Sequence, residues 1–158
     1  MNTLSLDAAV AMTGISRRTL WRRMVDGSMP GGEKDGRGRA TLALDGVLGL
    51  ARVHTGVAFS AEDVALLLAA DGGDAPAQAD VGALLYVAGA RAAALYWLNA
   101  AAEQDQADAM HWLGLACAQG DPPDNERALM WVAKAAAQGQ AIAKRQMAAL
   151  VARAVGGG

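Results

Sequence analysis

Aromatic side chains are scarce in this chain: one phenylalanine, two tyrosines and four tryptophans among 158 residues. Alanine fills much of the 53% hydrophobic fraction instead. It is the best helix former and a poor strand former, so the deficit points to a mainly α core. A single cysteine, Cys117, excludes an internal disulfide and suits a reducing compartment. On its alanine-rich segment it reads as a small buried hydrophobe. The two histidines, His54 and His111, lie far apart, and neither has a carboxylate or cysteine at metal-ligand spacing. GGEKDGRGR (31–39) lacks the G-x-x-x-x-G-K-[ST] of a phosphate loop, and no G-x-S-x-G occurs. No catalysis and no cofactor is expected. An uncharged apolar run of the ~18 residues that span a bilayer is missing too. MNTLSLDAAVAM has no basic residue before its apolar stretch, so it does not read as a signal peptide. A cytoplasmic protein with no membrane partner is expected.

Charge is unevenly placed. Residues 1–58 hold eight Lys/Arg against five Asp/Glu, a balance of +3, whereas residues 59–158 hold six against eleven, a balance of −5. Four arginines, Arg17, Arg18, Arg22 and Arg23, fall in TGISRRTLWRRMVDG (13–27) with one acid, Asp26, at the far end. At about 100° per residue, Leu20, Met24, Trp21 and Val25 form an apolar arc, while Arg18, Thr19, Arg22 and Arg23 form a second arc that faces outward. On that reading Trp21 packs in the core. Like charges on one short helix repel each other and need a use. Guanidinium forks suit phosphate oxygens and the O6/N7 edge of guanine.

The local signals fit that use. Ser5 precedes LDAAVAM, a short helix with Leu6, Ala9 and Val10 facing inward, and Thr13-Gly14 breaks it. Ser16 is a good N-cap for the next helix, with Ile15 and Leu20 at the spacing of a hydrophobic staple. Asp26-Gly27 ends that helix, which gives a helix-turn-helix candidate. Asp35-Gly36 is a hairpin turn signal, and Arg39 to Leu44 alternates as a strand of a small β-wing would. Asp45 is placed to cap a third helix, and Ser60 opens a fourth, to about Ala70, in a capping box with Asp63. DGGDAPAQ (71–78) is turn-rich and reads as a boundary.

The remainder repeats. ALYWLNAAAEQDQA (94–107) lies over ALMWVAKAAAQGQA (128–141) at an offset of 34, and GALLYVAG (82–89) matches LGLACAQG (113–120) loosely at 31, so the first connecting loop is three residues shorter. A period of 34 built from helix pairs is an α-solenoid signature, and the lone last helix would cap the stack. Trp97 and Trp131, at equivalent places, read as packing residues. Of the trio Met110, His111 and Trp112, part must leave the buried face, which makes one of them a candidate to line a groove for a protein partner.

Ala8-Ala9, Thr13-Gly14-Ile15-Ser16, Arg18-Thr19-Leu20 and Asp26-Gly27 with Pro30, followed by a wing and a capped helix, resemble MerR-type and excisionase-like winged helix-turn-helix domains over residues 3–55. Trp112-Leu113-Gly114, Gly120 and ERALMWVAKAAAQG (126–139) resemble Sel-one-like repeats, relatives of the tetratricopeptide repeats, over residues 79–151. The combination implies a bacterial, nucleoid-associated transcriptional regulator. The expected layout is a DNA-binding winged helix-turn-helix (1–58), a connecting helix and linker (59–78), a short α-solenoid for protein interaction (79–155) and a tail (156–158). Double-stranded DNA is the expected partner, through Ser16, Arg17, Arg18 and Thr19 nearest the bases, Arg22 and Arg23 on phosphates, and Lys34, Arg37 and Arg39 from the wing. A partner protein or a second copy, giving a homodimer, would use the repeats. The alternative is a non-catalytic protein–protein adaptor whose helix-turn-helix contacts protein rather than DNA.

Overall fold

Serine caps set the first two helices. In the computed structural model, which describes residues 2–156, Ser5 Oγ accepts from Ala8 N at 3.2 Å and opens α1 (Leu6–Thr13). Gly14 ends that helix in the left-handed region, at φ 69°, which a residue without a Cβ adopts freely. Ser16 Oγ then accepts from Thr19 N at 3.2 Å and opens α2 (Arg17–Val25). The segment before α1 is a strand, β1 (Thr3–Ser5), which pairs antiparallel with β2 (Thr41–Ala43), Leu4 opposite Leu42. The strand expected at Arg39–Leu44 is therefore shorter, and its main partner is β1. The other arm of the hairpin meets it through a single Gly31–Leu42 bridge, with Gly32 N bonded to Thr41 O at 3.0 Å.

Seven more helices follow among the described residues: α3 (Leu44–Thr55), α4 (Ala61–Asp71), α5 (Ala75–Val87), α6 (Arg91–Ala102), α7 (Ala107–Ala118), α8 (Asn125–Ala137) and α9 (Ala141–Gly156). Two local expectations fail. Asp45 is not a cap, because α3 already starts at Leu44 after Ala43, and Asp45 lies in the first turn. The stretch 71–78 is mostly helical: after a tight turn Asp74 caps α5, and Pro76 sits in the first turn, where its missing N–H costs nothing. The capping box of Ser60 and Asp63 is formed, with bonds of 3.0 and 3.1 Å.

One turn geometry recurs after α4, α5, α6 and α8. In each, an N–H reaches a carbonyl five residues back: Asp74 to Ala69, Ala90 to Leu85, Gln106 to Ala101, Gln140 to Ala135. Each has a left-handed residue just before that donor: Gly73, Gly89, Asp105 and Gly139. Asp74, Gln106 and Gln140 then cap α5, α7 and α9 with their side chains. Corresponding positions on α5 and α7 are therefore 32 apart rather than 31. Gly82 and Gly114 bear this out: a Cβ on Gly82 would lie 2.6 Å from Leu98, and one on Gly114 3.3 Å from Val132. These are the contact points of two helix pairs. The connections at 88–90 and 119–124 are three and six residues long, but α7 is one residue shorter than α5, so the register of the two helix pairs differs by two residues rather than three.

The N-terminal and helical halves share one apolar core, with Leu4, Leu6, Met12, Leu42, Leu67 and Trp97 in a single cluster. Trp97 is 1% exposed, and its indole N–H points at Met12 Sδ, 3.3 Å away. A buried carboxylate holds the seam. Asp71, at the end of α4, accepts from Ser5 N at 2.7 Å, Ser5 Oγ at 2.6 Å and Arg39 Nη1 at 3.3 Å, and its carbonyl accepts from Arg39 Nη2 at 2.7 Å. Asp71→Ala would strand these donors. It is expected to lower unfolding stability by about 2–4 kcal/mol, measured by urea unfolding of the full chain. A loss below about 1 kcal/mol, the net value of one ordinary hydrogen bond, would show that the seam is held by apolar packing alone.

Candidate nucleic-acid interface

Only Leu20 is fully buried on α2, and Met24 beside it is half-buried, packed under Gly31. The inward arc is narrower than the periodicity suggested. Trp21 is 52% exposed and Val25 74%, so the core position expected for Trp21 is incorrect. The reason lies in the neighbours: α2 packs chiefly on α1, and its side that carries Trp21 and Val25 is left exposed. Its outer face therefore carries Arg18, Trp21, Arg22 and Val25 together, with Arg23 and Thr19 half-buried at its border.

Of the four arginines, Arg17 alone has an acidic partner, the exposed carboxylate of Asp7. Among the described residues, Arg18, Arg22 and Arg23 are in no salt bridge. Thr19 Oγ1 accepts from Ser16 Oγ at 2.9 Å, so both hydroxyls are engaged at the helix start. At the other end, the hydroxyl and N–H of Ser28 hold the Asp26 carboxyl below its ordinary range, and Arg22 and Arg23 lower it further.

The basic residues of the hairpin diverge. Lys34 is exposed. Arg37, also exposed, lines a cleft of about 410 Å³ beside Asp71 and Gly73. Arg39 is turned inward: Nε donates to Asp35 Oδ2 at 2.7 Å, and its other nitrogens reach Asp71. Burial works against its charge, but the bond to Asp35 and the charges of Asp71 and Asp35 outweigh it, raising its pKa. Tyr96 lines the same cleft. Burial first, then the charges of Asp71 and Asp7, push its hydroxyl above the ordinary value.

The trio on α7 separates. Met110 is 4% exposed and lines a cleft of about 520 Å³ with Glu103, Asp105, Trp131 and Lys134. His111 faces a small cavity beside Leu129 and Val132. Trp112 lies against Tyr86, ring centroids 5.5 Å apart. Cys117 is half-buried rather than buried. Trp131 is half-buried as well, against the expectation drawn from its correspondence with Trp97. Trp97 is covered by Met12, which lies outside the paired helices, whereas the Trp131 ring has Lys134 of its own helix 5.1 Å from its centre. The period alone could not reveal this; the presence of another module at only one end of the stack is the relevant signal. No helix of the described residues is long and apolar enough to cross a membrane.

Asp35 anchors the hairpin. The N–H of Arg39 lowers its carboxyl below the ordinary 3.8; partial burial opposes this, and the Arg39 side chain and the Arg37 N–H add to it. A depressed carboxylate stabilises the fold above the ordinary value and ceases to do so as pH falls through the lower native one. The stability difference between the wild type and Asp35→Asn should therefore be constant from neutral pH to about 4 and vanish under stronger acid. Denaturant midpoints across pH check this. A difference that persisted unchanged at pH 2 would assign the contribution to shape rather than charge.

Set against known proteins, the chain matches no family model, no curated protein and no solved structure.

Proposed function

We propose that the chain is a transcriptional regulator of winged helix-turn-helix type, in which α2 reads duplex DNA and the paired helices form a short α-solenoid for protein contact. The observation that carries this reading is the outer face of α2, with three arginines in no ion pair among the described residues, on a helix anchored by Leu20 and capped by Ser16. A helix so held presents its N-terminal residues to a major groove. Arg18 and Thr19 then lie nearest base edges, and Arg22, Arg23 and Lys34 reach phosphates. Arg17 joins them by exchanging Asp7 for a phosphate, since an exposed ion pair contributes only about 0–1 kcal/mol. Arg39 acts indirectly, by fixing the hairpin. Trp21 on the same face suits stacking against a sugar or a thymine methyl.

Exposed Trp21 and Val25 also favour a second reading, an adaptor in which this face meets an acidic protein surface. Salt separates the two. With about five basic side chains in reach, log K for duplex DNA against log salt should slope at roughly −3 to −5 per protomer, measured by fluorescence anisotropy on duplexes selected from a random pool. Arg18→Ala should also relax sequence preference, by on the order of 1–3 kcal/mol at one base pair, while Lys34→Ala weakens all sequences alike. A flat salt dependence leaves the adaptor; identical preferences in both variants would displace α2 as the reading element.

A further inference from the structure

The clefts at Trp97 and Trp131 are one site built twice. Asp71, Gly73 and Gln78 in the first correspond to Glu103, Asp105 and Met110 in the second, 32 positions on. Trp97 and Ala100 correspond to Trp131 and Lys134, 34 positions on.

The first copy is occupied by the chain itself. The Arg39 guanidinium bonds the carboxylate and carbonyl of Asp71, and Met12 covers the Trp97 indole. Its cation also sits at the negative end of the α4 dipole. The second copy keeps the helix-end acid and the tryptophan, and among the described residues only Lys134, from Trp131's own helix, lies over that ring. Glu103, the exposed C-cap of α6, is in no salt bridge among the described residues; it borders both clefts, whereas half-buried Trp131 and Lys134 line only the second, of about 520 Å³.

We infer that this second cleft binds an arginine-bearing loop of a partner protein. The arginine bonds Glu103 and the end carbonyls of α6, and a neighbouring aliphatic or methionine side chain covers Trp131. Lys134 differs from its counterpart Ala100: its Nζ lies 5.1 Å from the centre of the Trp131 ring and must swing aside, which lowers affinity. No residue of α2 lines the cleft, so the inference stands apart from the DNA reading.

A labelled peptide of the chain's own hairpin, GRGRATLAL (36–44), is a suitable probe, because it carries Arg39, whose tethered copy already holds the Asp71 carboxylate and carbonyl. Titrated into the full chain, it should bind saturably by anisotropy, and the same peptide with both arginines replaced by glutamine should not. Glu103→Gln should weaken binding about five- to tenfold, the loss of one solvent-accessible charge-assisted bond. Lys134→Ala should strengthen it severalfold, a gain that misfolding cannot produce. Absence of saturable binding, or binding that neither substitution moves, overturns the inference. So does binding that emerges only when Asp71→Asn frees the first cleft.

Discussion

A carboxylate taken out of water must find donors or lose its charge, and Asp71 finds its donors on the other half of the chain. Ser5 supplies an N–H and a hydroxyl, and Arg39 supplies a guanidinium. Each is fixed in turn. Ser5 is at once the last residue of β1 and the cap of α1, while Arg39 is braced by Asp35 across the hairpin turn. One acid at a helix end therefore sets where β1, α1 and the hairpin lie against α4. The position of α2 follows from that of α1.

The helical half is governed by a different rule, the repeated close of one helix end. Wherever the same turn recurs, the next helix leaves at the same place, and glycines at the contact points let the pairs approach. Asp105 is the exception, a left-handed aspartate where the other three turns use glycine. Identical geometry does not give identical burial, however. Trp97 and Trp131 differ because only one of them meets a neighbour from outside the pairs.

What was legible in the sequence was local. The caps at Ser16 and Ser60 and the helix ends at Gly14 and Asp26 all follow from residues within a few positions of each other. The rest depended on distant partners. β1 is three residues with no period to read, and its partner lies near residue 42. Asp71 looked like a turn acid in DGGDAPAQ, because sequence does not tell a solvated carboxylate from one that accepts three hydrogen bonds. Trp21 sits in the apolar arc of its own helix, yet an arc is buried only as far as neighbours cover it. Of the nine residues read as a DNA surface, Arg18, Arg22, Arg23, Lys34 and Arg37 are in no salt bridge among the described residues, and Arg39 is turned into the seam.

The occupation of the Trp97 cleft by the hairpin also makes the stack polar along its length. At that end Arg39 and Met12 already hold Asp71 and Trp97, and a further helix pair would have to displace them to enter. At the other end α9 carries exposed Ile142, Leu150 and Val155. Duplication or insertion of helix pairs could thus lengthen the array only from the α9 side, leaving the Arg39 end and its arginine-rich helix unaltered. The number of helix pairs could then change while α1, α2 and the hairpin keep their places.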